Sequence, residues 1–231
     1  MKIRSNFVSN SSSSSFIIAG KNVLETLIRF IHDSNMVNYE PEWYDHDSDF
    51  TYGEVIEEII RQCKNSTNDM VKGVIGGLIY QSINFYTTKC IYEIIPNQIC
   101  TCYMDDVSEN KWYDTYIKDS EFDLPKEFKK KIENAIKIQY DKTNSENSWD
   151  YSFFKIEEYF PDYETLMNDF VNEIYESYIN KYGELYAVSF GDNHGECSGR
   201  MGAFVEYDFL GSGSINDHLK TNFEIYRNNE H

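Results

Sequence analysis

Residues 184–210, ELYAVSFGDNHGECSGRMGAFVEYDFL, read as strand, Gly-rich polar loop, strand. The loop concentrates chemically capable side chains: Asp192, Asn193, His194, Glu196 and Cys197 fall close together, and Glu206 and Asp208 follow on the second strand. A polar stretch of this length between two apolar runs is either a long hairpin turn or a site. As a site, Asp192, His194 and Glu196 alternate along an extended loop and project together. Glu206 and Asp208 stand on one face of the facing strand, and His218 or His231 is placed to complete the shell. Mixed His and carboxylate ligands suit a divalent metal that activates water. The metal candidates are Asp192, His194, Glu196 and Asp208, with His194 and Glu206 as the catalytic pair of a metal-dependent hydrolase or small-ligand binder. Against this stands an Asp/Asn/Gly turn whose polar side chains cap their own backbone. The run has neither an HExxH motif nor paired helical Glu-x-x-His elements. The turn reading outweighs the catalytic one, so the leading expectation is a protein with no catalytic residue and no cofactor.

Charge limits the partners. The chain has 39 acidic and 21 basic residues, a net charge of −18. Duplex nucleic acid requires Lys and Arg to neutralise phosphates, and the one basic run is Lys129-Lys130-Lys131. Direct nucleic-acid binding and anionic membrane surfaces are therefore excluded as expectations. Such a field favours a basic partner, a host protein or a nucleic-acid-binding complex, or else serves solubility. The acids singled out for partner binding are Glu40, Glu42, Asp45, Asp47 and Asp49, with Asp105 and Asp106 from a second acidic stretch. Asp45, His46, Asp47 and Asp49 lack the central Gly and terminal Glu of an EF-hand loop, so a solvated acidic loop is expected.

The remaining chain alternates helical and extended patterns. Leu24, Leu27, Ile28 and Ile31 mark a short amphipathic helix. Val55, Ile56, Ile59, Ile60 and Cys63 mark a second. Met70, Val71, Val74, Ile75, Leu78 and Ile79 mark a third over residues 69–85, on which Gly73 and Gly77 share a face that suits close helix packing. Residues 89–95 and 98–104 read as a hairpin turning at Pro96-Asn97. In that register Cys102 faces Ile91 and Cys100 faces Glu93, while Cys90 pairs with Tyr103 on the opposite face, so the three thiols do not converge on a zinc. Residues 111–118 read as a further strand. Asp123 and Pro125 start a helix with Phe128, Ile132, Ala135 and Ile136 inward. Pro161 and Asp162 open a longer helix with Leu166, Phe170, Val171, Ile174 and Tyr178 inward, stopped by Gly183. A last strand runs over 221–227. Five cysteines, an odd number, predict free thiols. No apolar run is long enough for a membrane span, and the start MKIRSNFVSN carries no apolar signal segment, so a cytoplasmic protein is expected. The fold class is α+β: antiparallel hairpins and sheet packed with amphipathic helices. A single domain over 1–231 is expected, with 143–152 as the place where it would divide into 1–142 and 153–231.

The opening KIRSNFVSNSSSSSF, with serines at 11–15, resembles the N-terminus shared by uncharacterised clostridial phage and mobile-element proteins. Asp192-Asn193-His194-Gly195 and GAFVEYDFL at 202–210 resemble a C-terminal pattern of the same group. Those proteins often end in paired histidines, whereas this chain ends Asn229-Glu230-His231. The resemblance covers the first 16 or so residues and a C-terminal segment, and implies origin rather than a chemistry. Together with the charge it predicts a phage- or mobile-element-encoded accessory protein. The expected role is an acidic, protein-binding inhibitor of a host defence complex, anti-CRISPR-like, whose face occupies a groove built for nucleic acid.

Overall fold

The computed structural model describes residues 14–33, 51–94, 122–143, 156–190 and 224–229. The described residues are mostly helical, with one small antiparallel sheet, an α+β arrangement. The chain divides into two compact units. One takes the elements within Met1–Gly77 and Val171–His231, the other those within Leu78–Phe170. The boundary expected at 143–152 falls, beyond Thr143, outside the described residues.

The first unit is built on strand β1, Ser14–Gly20, which pairs antiparallel with β2, Glu184–Phe190, and with β3, Glu224–Asn229. The sequence SSFIIAG offers two short apolar positions on each face, which fits an edge strand or a central one. The sheet order β2-β1-β3 makes it central. Phe16, Ile17, Ile18 and Ala19 are all buried, and a strand covered on both faces reads as a continuous apolar run instead of an alternation. The register places Phe16 opposite Val188 and Ile17 opposite Ala187. β2 thus takes its strand partner from far upstream; residues 202–210, expected to pair with it across a hairpin, lie outside the described residues.

Gly20 and Asn22 turn the chain from β1 into α1, Val23–Asp33, Asn22 adopting a left-handed φ of 58° that its short polar side chain tolerates. Glu184 at the start of β2 closes this corner, its carboxylate accepting from the Val23 N–H at 3.1 Å. An acid there satisfies a free helix N–H and complements the positive end of the helix dipole. Helix α2, Tyr52–Asn65, opens on a capping box, in which the Thr51 hydroxyl accepts from the Glu54 N–H and the Glu54 carboxylate from the Thr51 N–H. Its predicted stripe is the observed one: Val55, Ile56, Ile59, Ile60 and Cys63 are buried. They pack with Phe16, Ile18, Val23, Leu27, Val188 and Phe190 in one core, where the Phe16 and Phe190 rings stack at 6.2 Å. On α1 Val23 and Leu27 are buried and Leu24 and Ile31 pack partly buried against the same core, while Ile28, also expected inward, is exposed.

Helix α3, Asn68–Ile94, corrects the sequence reading most strongly. It runs through residues 89–94, expected to be the first arm of a hairpin. Thr87, Thr88 and Ile91 favour strands, but intrinsic helix penalties are at most about 0.7 kcal/mol per ordinary residue. Full burial of one aliphatic side chain returns about 1.5–3 kcal/mol. Ile83, Thr87, Cys90 and Ile91 are buried at helical spacing, so burial decides. The hydroxyls that compete with helix geometry are turned to its use: Ser82, Thr87 and Thr88 donate to the carbonyls of Leu78, Ile83 and Asn84. Met70, expected inward, is exposed.

In the second unit α4, Lys126–Thr143, buries Phe128, Ile132, Ala135 and Ile136 as predicted. Asp123, expected to cap it, stands three residues before its first turn and pairs with Lys129 instead. A short 3-10 helix, Ile156–Glu158, precedes α5, Tyr163–Tyr182. The Phe128 ring meets Phe160 at 6.3 Å and Phe170 at 6.0 Å, which adds a cluster of rings to a unit whose wholly buried side chains are Ile79, Ile83, Ile132 and Ile136. Gly183, with φ 92°, ends α5 and donates to the Ile179 carbonyl, a left-handed stop that glycine supplies without strain.

Candidate functional site

The residues singled out from sequence lie outside the described residues: Asp192, His194, Glu196, Glu206 and Asp208 on the C-terminal stretch, Glu40, Glu42, Asp45, Asp47, Asp49, Asp105 and Asp106 on the acidic ones, and Cys100 and Cys102. Among the described residues, no three His, Cys, Asp or Glu side chains stand close enough to hold a metal. Cys63 and Cys90 are free, as the odd cysteine count predicts.

Among the described residues of the second unit, a partly open cleft of about 200 Å3 is lined by Ser82, Phe85, Tyr86 and Lys89 of α3 and by Phe122, Asp123, Leu124 and Lys129. Its polar groups are committed to one another. The Tyr86 hydroxyl donates to Glu133 at 2.8 Å, Lys129 pairs with Asp123 while standing 5.6 Å from the Tyr86 ring, and Ser82 donates to a backbone carbonyl. Burial and the Glu133 carboxylate push the Tyr86 hydroxyl far above the usual phenol range. Burial also raises the Cys90 thiol, with the Tyr86 contact acting in the other direction. The Lys129 ammonium holds Asp123 below the usual carboxylate range. A protonated phenol, a protonated thiol and a paired lysine supply no activated nucleophile or base. The cleft is packing between amphipathic side chains.

Cys63 in the first unit is equally inert, its thiol pushed up to about 12 by burial in the aliphatic core. Lys72 of α3 bonds Asn172 of α5 at 2.7 Å and lies over the Tyr175 ring at 4.8 Å, which fixes those two helices within that unit.

Two described features present groups to their surroundings. Along α5, Glu164, Asp169, Glu173 and Glu176 are exposed, and the last three recur at spacings of four and three, on one side of the helix. Among the described residues no Lys or Arg forms an ion pair with any of these four. Like charges at these spacings repel by a few tenths of a kcal/mol per pair.

The second feature is the outer edge of β2, which sequence reasoning missed. The Ser189 N–H donates to Gln62 Oε1 at 2.7 Å, and Gln62 Nε2 donates to the Ser189 carbonyl at 2.9 Å. Two residues earlier, the Ala187 N–H donates to the Ser66 hydroxyl at 2.8 Å. Gln62 is itself oriented, because Nε2 also donates to Glu58, which is held by Arg61 through two short bonds. The Arg61 guanidinium keeps the Glu58 carboxylate below its usual range.

Among the described residues no helix is long and apolar enough to cross a membrane. No family model, curated protein or solved structure matches the chain.

Proposed function

We propose that the protein acts by non-enzymatic contact, as an acidic phage- or mobile-element-encoded accessory protein. Its partner in this reading is a basic host protein, in the sharpest form the nucleic-acid groove of a defence complex, reached in the cytoplasm of the host. The observation that carries the reading is the net charge of −18, together with the exposed Asp169, Glu173 and Glu176 of α5 that pair with no described cation. Glu40, Glu42, Asp45, Asp47, Asp49, Asp105 and Asp106 extend the same charge in the proposal. Carboxylates presented in number to a basic groove raise the association rate and select against acidic partners more than they add affinity.

The test is capture of partners from a clostridial host lysate on the immobilised protein, followed by competition. The expected partner is basic, is displaced by duplex DNA or structured RNA, and dissociates steeply as salt rises from low to physiological strength. The variant Glu173→Lys/Glu176→Lys should associate several-fold more slowly at low salt with an unchanged far-ultraviolet spectrum. Salt-insensitive capture, or capture that nucleic acid does not compete, rejects the reading.

A further inference from the structure

We draw no further inference here: the strongest candidate, the face of α3 on which Met70 and Tyr80 are exposed and the space beside Gly73 is open, carries nothing because nothing among the described residues shows what covers it.

Discussion

The two compact units are stabilised in different ways. In the sheet unit, β1 and β2 are far apart in sequence, backbone pairing joins them, and the core above that pairing is closed: Phe16, Val23, Leu27, Val55, Ile56, Ile59 and Val188 are wholly buried. In the helical unit the rings of Phe128, Phe160 and Phe170 meet at tilted angles, and charged side chains finish the packing. Lys131 pairs with Asp162 and lies 5.4 Å from the Phe160 ring, and Lys129 does the equivalent with Asp123 and Tyr86. Exposed ion pairs contribute little and are screened by salt, whereas truncating a wholly buried aromatic leaves a void that a close-packed core fills only in part. Both units hold wholly buried apolar side chains, Ile79, Ile83, Ile132 and Ile136 in the second, so what sets the first apart is the backbone pairing that joins strands distant in sequence, and what sets the second apart is the lysines that lie over its rings.

The strongest way to break this contrast is Phe16→Ala. Loss of the ring that stacks on Phe190 at the centre of the sheet should cost about 3–5 kcal/mol, read by urea denaturation. A loss under about 1 kcal/mol would show that neighbouring side chains close the gap, and that the strand pairing more than the ring holds the first unit together. Next in size is the cap of α2, the helix that carries the core stripe and the Gln62 side chain bonded to β2. Thr51→Ala removes the hydroxyl that accepts from Glu54 and should cost about 1 kcal/mol in the same assay. A null result would mean that core burial alone fixes where this helix begins.

How much of this was legible follows from which forces act locally. The stripes of α2 and α4 could be read residue by residue because the inward positions are aliphatic, Phe or Cys and the flanking ones, Ile138 apart, are mostly charged or polar. Gly183 and the start of α5 were legible because turn chemistry depends on backbone preference, not on distant partners. The second half of α3 was not. Thr87, Thr88 and Ile91 have the propensity of a strand, and only the burial of Ile83, Cys90 and Ile91 along one helical face makes them a helix. The bonding of α2 to β2 was illegible for a further reason: Gln62 and Ser66 look like ordinary surface residues until β2 is placed beside them, more than a hundred positions away in the chain. The candidate site expected around His194 and the acidic loops falls outside the described residues, so the comparison of sequence with structure covers the frame and not those side chains.

Gly73 separates a reading of pattern from a reading of space. Its spacing from Gly77 suggests a face cleared for a neighbouring helix, yet a Cβ built at Gly73 meets no atom of the described residues within 4 Å. At Gly76 the same atom would sit 3.7 Å from a Val171 methyl, an ordinary contact. Neither position has a positive φ, so nothing in the backbone requires glycine at either. In a helix interior glycine loses more conformational freedom on folding than alanine and weakens the helix accordingly. Gly73→Ala should therefore stabilise the protein by about 0.5–1 kcal/mol, measured as a higher denaturation midpoint with an unchanged slope. A destabilised variant would show that the space beside residue 73 is needed by another part of the chain or by a partner, and would restore the packing interpretation of the pair.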